Sequence, residues 1–229
     1  MAGELTSKAV KEFGRSAGAA VVGIASCEDF ALAPEGFKPS DVLVQCRSVI
    51  VLGAASPPEV LSSAEEYTAS RNAMLSAMTD MAKETAKRIK AAGHKTKVIS
   101  AAGGRWMDGD GRKEQFGYIS LKHAAEIAGL GVIGRNYLLT NPQFGSLPWL
   151  SAVLTDAYLE PDERAELDIC GSCSKCIDAC PAGALNNSSL FGKKGCSKFF
   201  VIEDKRFKIK CFACRSVCPH ACGIKSGML

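Results

Sequence analysis

Four cysteines occupy eleven consecutive positions of the chain. They are Cys170, Cys173, Cys176 and Cys180, and Pro181 follows them directly. Three thiolates spaced two residues apart on a tight loop can each bind a different iron of one 4Fe–4S cubane, whereas the fourth lies beyond them on an emerging helix. This spacing therefore predicts an iron–sulfur site whose fourth cysteine serves a second cluster.

A reciprocal set of cysteines follows further along the chain. Cys211, Cys214 and Cys218 precede Pro219, and the solitary Cys196 stands ahead of them. The symmetric assignment gives the first cluster Cys170, Cys173, Cys176 and Cys218. It gives the second cluster Cys180, Cys196, Cys211 and Cys214.

Two further interpretations concern the same thiols. Pairs of C-x2-C also suit tetrahedral zinc, although zinc needs neither the triple repeat nor the prolines after the crossing ligands. Cys222 is surplus to the eight ligands. Cys27 and Cys46 lie beside apolar stretches, so we expect them to be packed thiols.

The composition suggests a compartment and a charge distribution. Nine of the eleven cysteines fall in residues 170–222, and the chain shows neither an apolar secretory segment nor a run long enough to span a bilayer. We therefore expect a soluble, cytoplasmic protein whose thiols stay reduced, with no membrane partner. Residues 186–229 hold nine Lys or Arg against Glu203 and Asp204. These cations offset the charge of anionic cubanes, or form a docking face for an acidic donor or nucleic acid.

The rest of the pattern predicts a layered α/β domain ahead of the cysteines. Short apolar strands are expected at 19–25, 48–55, 95–101 and 149–159, and helices at 4–17, 64–92 and 120–130. Residues 103–117 are glycine-rich and polar, which predicts a functional loop without regular structure. The predicted domains are 1–165 and 166–229.

The motifs together resemble a known family. The segments "AGLGVIGRN", "CGSCSKCIDACPAGAL", "GCSKFFVIED" and "CFACRSVCP" are similar to the core of epoxyqueuosine reductases and, more distantly, of corrinoid reductive dehalogenases. The resemblance implies an α/β (α+β) nitroreductase-like N-terminal domain that holds cobalamin, followed by a small ferredoxin-like domain with two 4Fe–4S clusters. It places the corrinoid-contacting lysine of the family on Arg135 and two apolar contacts on Leu139 and Leu150. Asn136 is expected to line the same site.

The chain also departs from that family. The proton-donating aspartate of the family aligns with Gln115, which cannot act as an acid. Asp108 and Asp110 lie nearby but do not match the motif. A family segment that contains histidine reads "TASRNAM", and the helical extension that helps to hold tRNA is missing from the sequence. A nucleic-acid substrate is therefore not the expectation.

These observations support two functional hypotheses. The first is an anaerobic-type oxidoreductase that passes electrons through two clusters to a corrinoid or to a small substrate in the N-terminal domain. The second is an electron-transfer protein that supplies low-potential electrons to a partner such as a corrinoid protein. Both require an electron donor such as a ferredoxin or flavodoxin.

Overall fold

The structure is a computed structural model that describes residues 5–102, 104–109, 112–186, 193–203 and 206–224. Within these ranges the helices and strands are α1 (Ser7–Ser16), β1 (Val21–Ser26), α2 (Pro39–Val42), β2 (Ser48–Ala55), α3 (Ala64–Ala91), β3 (Thr96–Ile99), β4 (Arg105–Gly109), β5 (Arg112–Phe116), α4 (Leu121–Ile127), β6 (Val132–Ile133), β7 (Leu139–Thr140), β8 (Pro148–Thr155), α5 (Lys175–Asp178), α6 (Lys193–Ser197), β9 (Phe200–Glu203), β10 (Arg206–Ile209) and α7 (Ala213–Ser216). None of the described helices is long and apolar enough to cross a membrane.

The chain forms two compact units, each discontinuous in sequence. The first unit contains residues 1–54, 75–130 and 149–165, and the second contains 55–74, 131–148 and 166–229. The chain enters the second unit for the last time after Ala165. That position coincides with the predicted division at 165/166, although 55–74 and 131–148 also join the second unit.

The first unit is built on a four-stranded sheet. Its strand order is β1, β2, β8, β3, and the described β1–β2 and β3–β8 pairs are both antiparallel. Strand β2 is buried along almost its whole length, as its continuous run of β-branched and apolar residues predicts. The largest fully buried side chains include Ile24, Ile50 and Leu52 of the sheet and Met78 and Ile89 of α3.

Asp162 ties the end of the first unit to its sheet. The Asp162 carboxylate accepts a hydrogen bond from the backbone N–H of Ile24 at 2.8 Å, and it also pairs with Lys11 of α1. Helix α1 begins at the N-cap Thr6, whose side chain accepts a hydrogen bond from the Ala9 N–H. Helix α1 is thereby held to the end of the first unit through Lys11.

The predicted strands and helices are confirmed with shifts of a few residues at their ends. The prediction for residues 103–117 was wrong, because β4 and β5 form an antiparallel hairpin in which Arg105 is opposite Phe116 and Gly109 is opposite Arg112. The intervening Asp110 and Gly111 lie outside the described residues. The polar composition of this segment concealed the strand pair, although an Asp-Gly sequence is typical of hairpins.

The second unit carries the cysteines on short elements. Helices α5 and α7 pack against each other, and each holds one cysteine of a C-x2-C pair. The residues between Cys196 and Cys211 include the antiparallel pair β9–β10, in which Phe200 is opposite Ile209. The segment between these two cysteines therefore contains a pair of antiparallel strands.

Candidate iron–sulfur site

Two cysteine motifs in the second unit fold in the same way. The first motif is residues 170–180 and the second motif is residues 211–218. In the first motif the Asp178 N–H donates to the Ser174 carbonyl and the Cys180 N–H to the Ile177 carbonyl, at 3.0 and 3.2 Å. In the second motif Ser216 and Cys218 donate in the same way to Phe212 and Arg215, at 3.1 and 3.2 Å. The shared spacing therefore produces one repeated loop–helix unit.

Four thiols from both motifs line one cavity. These four, Cys170, Cys173, Cys176 and Cys218, surround a small space that is partly open to solvent. Burial raises the pKa of the Cys176 thiol, and the nearby charges of Cys170 and Cys218 raise that pKa further. We call this space the cluster-one cavity, because it gathers the four thiols assigned to the first cluster.

A second group of thiols gathers around Cys214. Burial raises the pKa of Cys214 to about 11, the nearby Arg215 guanidinium opposes this rise, and the charges of Cys196, Cys211 and Cys176 add to it. Three of the four thiols assigned to the second cluster are thus within electrostatic range of one another. Cys180, the fourth, lies just beyond the end of α5.

Single-ion coordination is a separate question. Across the ranges that the structure describes, no three His, Cys, Asp or Glu side chains converge on a point where they could hold one metal ion. A cubane does not require such convergence, because its four thiolates are spread over four irons. Cys222, the surplus cysteine, is exposed and raises the pKa of the neighbouring Cys218 by its charge.

Backbone N–H groups point at two of the sulfurs. The Arg135 N–H donates to Cys170 Sγ at 3.4 Å, and the Ala184 N–H donates to Cys180 Sγ at 3.3 Å. Hydrogen bonds to ligand sulfurs stabilise the thiolate form and raise the reduction potential of a cluster. Both assigned ligand sets therefore contain a sulfur with such a donor.

Arg215 places a buried cation beside Cys214. Its side chain is 8 % exposed and donates a hydrogen bond to the Ser146 carbonyl. Its guanidinium carbon lies 5.5 Å from the centre of the Tyr67 ring, and that ring packs on Phe212 with centroids 5.1 Å apart. Sequence reasoning missed Arg215, although its position next to a predicted ligand was a usable signal.

Thr140 is a second residue that sequence reasoning missed. It is 1 % exposed and lines the cluster-one cavity, and its hydroxyl has no hydrogen-bond partner among the described residues. An unsatisfied buried hydroxyl is costly unless something accepts its proton. The hydroxyl therefore marks a place where an acceptor, such as a sulfur of a bound cluster, would be stabilised.

The four predicted corrinoid contacts occupy different environments. The Arg135 guanidinium donates to the Gly171 and Cys173 carbonyls at 2.7 and 2.9 Å, which braces the loop of the first motif. Asn136 is buried and its amide donates to the Cys214 carbonyl at 3.4 Å. Leu139 is buried in β7 of the second unit, and Leu150 is buried in β8 within the first unit. Their assignment as corrinoid contacts stays a prediction.

Gln115, which aligns with the family acid, and the nearby Asp108 and Asp110 fall in or beside β4 and β5. Asp108 and Gln115 belong to β4 and β5, but their side chains lie outside the described part of the structure, as does Asp110 altogether. The backbone register nevertheless places Asp108 opposite Lys113 and Gln115 opposite Trp106.

Comparison with known proteins identifies similar sequences. No family model matches the chain. The epoxyqueuosine reductase of Bacillus subtilis is 39 % identical over 114 residues, which is 45 % of this chain and 29 % of that protein. The corresponding enzyme of Bacillus anthracis is 38 % identical over 119 residues, which is 47 % of this chain and 31 % of that protein. The matched segments thus cover about a third of these curated relatives.

Comparison with solved structures supports the fold over nearly the whole chain. A tagged catabolic reductive dehalogenase aligns with 96 % of this chain and 32 % of its own, at 20 % identity and a TM-score of 0.71. An epoxyqueuosine reductase with a modified tRNA stem loop aligns with 93 % of this chain and 64 % of its own, at 21 % identity and a TM-score of 0.61. A reductive dehalogenase described in terms of B12-dependent dehalogenation aligns with 94 % and 30 %, at 20 % identity and a TM-score of 0.60.

Proposed function

We propose that the chain is an iron–sulfur reductase that passes electrons through two 4Fe–4S clusters to a corrinoid or small substrate. Its sequence similarity to epoxyqueuosine reductases and its mixed helix–strand fold confirm the resemblance seen in its motifs and support this proposal. Residues 166–229 then form the ferredoxin-like part and residues 1–165 the nitroreductase-like part. The observation that carries the proposal is the cluster-one cavity, where a thiol from the second motif meets three thiols of the first.

The donor set around the cluster-one cavity fits a cubane. Four soft thiol ligands line the space, a backbone N–H points at one sulfur, and the Thr140 hydroxyl lacks an acceptor. When bound, a 4Fe–4S cluster supplies one-electron transfer over a wide range of potentials. The chain contributes the ligands Cys170, Cys173, Cys176 and Cys218, and Arg135 holds their loop in shape.

The second ligand set fits a second cubane. Cys180, Cys196, Cys211 and Cys214 are the proposed ligands. The two sets are close to each other, because α5 and α7 pack together and the charge of Cys176 reaches Cys214. Arg215 offsets part of the negative charge of the thiolates there.

The corrinoid is the finer part of the proposal. Its support is the similarity to epoxyqueuosine reductases and to a reductive dehalogenase described as B12-dependent. Arg135, Asn136, Leu139 and Leu150 are the proposed contacts. Because the Arg135 and Asn136 side chains already donate to loop carbonyls, we assign them to positioning the cysteine loops and derive no chemical step from them.

An electron-transfer protein is the second candidate function. Gln115 in place of an acid favours it, because an amide cannot deliver a proton to a substrate. The surface beside the first motif offers a place for a ferredoxin or flavodoxin, since a concavity of about 780 Å³ is lined there by Cys170–Lys175, Pro219 and His220. Cluster one would be the point of entry for electrons.

Nucleic acid remains a third candidate, with weaker support. One epoxyqueuosine reductase of similar fold has been solved with a tRNA stem loop. Here Lys208 of β10 and the adjacent Lys210 both pair with Glu203 at 2.9 Å. This acidic side chain offsets part of the positive charge of the basic region. Binding of a tRNA stem loop should weaken steeply with salt if this candidate is right.

One preparation separates these candidates. We expect the full chain, purified without oxygen and supplied with iron and sulfide, to hold about eight irons and eight labile sulfides. Cobalamin is then added to the reduced protein, and retention after gel filtration with a change in the corrinoid absorption spectrum supports the reductase. Eight irons with no retained corrinoid leave the electron-transfer candidate, whereas two zincs and no iron refute both.

A further inference from the structure

A separate pair of thiols lies in the first unit. Cys27 follows β1 directly and begins the short 3-10 turn Cys27–Phe30, while Cys46 lies just ahead of β2. In the antiparallel β1–β2 pair Ser26 is opposite Ser48, so both cysteines lie at the same end of the two strands. The backbone ladder continues past this point, because the Cys27 N–H donates to the Arg47 carbonyl at 2.9 Å.

The two thiols share one open cavity. Both are partly exposed, and they line a space of about 400 Å³ together with Phe30, Lys38 and Ser40. A cavity of this size is in the range that small-molecule ligands occupy. We expected packed thiols, and the structure shows Cys27 and Cys46 half-buried, lining this cavity with the loop between β1 and β2.

The local contacts make the two sulfurs unequal. The pKa of Cys27 is lowered, mainly by a hydrogen bond from the Cys46 thiol and also by the Ser40 backbone N–H. Burial and the negative charges of Glu28 and Asp41 act in the opposite direction and raise it. The same hydrogen bond, burial and the charge of Cys27 raise the pKa of Cys46. In the structure the Cys46 thiol donates a hydrogen bond to the Ser48 carbonyl at 3.6 Å, and rotation of its S–H bond turns the same proton toward Cys27. One sulfur is thus suited to be a nucleophile and the other to remain a thiol until it is needed.

We propose that Cys27 and Cys46 form a thiol–disulfide exchange site whose substrate is a low-molecular-weight disulfide. Two neighbouring thiols at the same end of a strand pair, lining one open cavity that admits a small molecule, are the arrangement that such exchange requires. The site belongs to the first unit and does not depend on the proposed clusters.

The exchange proceeds in two steps that conserve atoms and electrons. The Cys27 thiolate attacks one sulfur of the disulfide, forming a mixed disulfide on Cys27 and releasing the first thiolate, which takes up a proton. The Cys46 thiol loses its proton to solvent and attacks Cys27 Sγ, so that the second thiolate leaves. The cysteine pair loses two electrons and two protons overall, and the small disulfide becomes two thiols.

The chain makes this reaction simple to follow. Trypsin cleaves after Arg15 and Arg47 but not between Lys38 and Pro39, so Cys27 and Cys46 fall together in the peptide 16–47, which contains no other cysteine. Iron-loaded protein is treated with glutathione disulfide without oxygen, quenched with an alkylating agent and analysed by mass spectrometry. We expect this peptide to lose the mass of two hydrogens and to escape alkylation, and dithiothreitol should restore both thiols.

Two single variants test the separate roles. In Cys46→Ser, Cys27 should accumulate as a stable mixed disulfide with glutathione, because the second attack is removed. In Cys27→Ser, the reaction of Cys46 should be slower by a factor of about ten or more, since the pKa of Cys46 is raised and the neighbouring thiol of lower pKa is gone. Circular dichroism of each variant shows whether the first unit still folds.

The wild-type protein alone can overturn the proposal. If both thiols in folded protein remain alkylatable after exposure to glutathione disulfide, or if both carry glutathione and no internal disulfide forms, the site does not perform exchange. Equal alkylation rates of Cys27 and Cys46 in the untreated protein would refute the assignment of nucleophile and resolving thiol. Retention of a soft metal by the pair with no reaction toward glutathione disulfide would reassign it as a metal site.

Discussion

The first and second motifs have the same backbone hydrogen bonds but different surroundings. Gly171, Ser172 and Lys175 of the first motif are exposed, and its loop is braced from the surface by Arg135. The second motif carries the buried Arg215, which packs on Tyr67 and binds the Ser146 carbonyl. Ligand spacing therefore sets the geometry of each motif, whereas the residues around it set how strongly a cluster is held and at what potential.

The proposed crossed ligation between the two motifs predicts the largest effect. Cys176→Ala with Cys218→Ala removes two ligands from cluster one, so the protein should keep about four of about eight irons. Cys176→Ala with Cys180→Ala removes one ligand from each cluster, so it should keep close to none. Iron analysis after anaerobic reconstitution measures the iron content of both double variants. Cys222→Ala is the control, which should keep all of its irons. The reverse result for the two double variants would show that each motif ligates its own cluster.

The glycines near the two motifs should differ in their tolerance of a side chain. Gly145 has φ +59°, and a Cβ there would lie 2.1 Å from the His220 carbonyl oxygen and 2.3 Å from that of Ala221. Gly171 has φ +44°, and a Cβ there would have no neighbour within 4 Å. Gly145→Ala should lower the free energy of unfolding by about 3 kcal/mol, whereas Gly171→Ala should cost about 1 kcal/mol for backbone strain alone. Chemical denaturation of the reconstituted proteins measures both, and equal costs would contradict the contact.

The buried cation should separate the potentials of the two clusters. Arg215→Met removes positive charge beside Cys214, which should lower the reduction potential of cluster two by about 60 mV, a tenfold change in a one-electron equilibrium. It also leaves the Ser146 carbonyl without this donor, at a cost of about 1–3 kcal/mol in unfolding free energy. Redox titration followed by electron paramagnetic resonance measures the shift.

The control is Arg215→Lys, which retains the charge. This variant should recover most of the potential while still losing part of the stability, because ammonium lacks the planar contact with Tyr67. If the methionine variant loses stability but leaves both potentials unchanged, Arg215 has a structural role only.

The surface brace on the first motif should have the smallest effect. Arg135→Gln removes the hydrogen bonds to the Gly171 and Cys173 carbonyls, but water can replace them at this exposed position. We expect the free energy of unfolding to fall by about 1 kcal/mol or less. The release of iron to a chelator should become a few-fold faster. The rate of iron release to a coloured chelator measures this, and an unchanged rate would mean that Arg135 does not brace the loop.

The candidate site was predictable where it depends on short-range spacing. Cys173–Cys176 and Cys211–Cys214 each place their second cysteine in a short helix and their first on the loop before it, because the hydrogen bonds that form these turns join residues three or four apart. The buried strands were also predictable from unbroken apolar runs, as for β2. The hairpin β4–β5 was missed because backbone groups make its pairing, and its polar side chains show no alternation of polar and apolar residues that would indicate strands.

The sequence by itself determined which thiols are available and how each motif turns. Only the tertiary structure decided which distant residues surround them: Tyr67 from α3 against Arg215, Thr140 at the cluster-one cavity, and Cys46 against Cys27 across a loop. The physical reason is that local hydrogen bonds follow from neighbouring residues alone. Burial of a cation, an unpaired hydroxyl or a thiol pair depends instead on which segments pack together, and many side chains far apart in the chain decide that jointly.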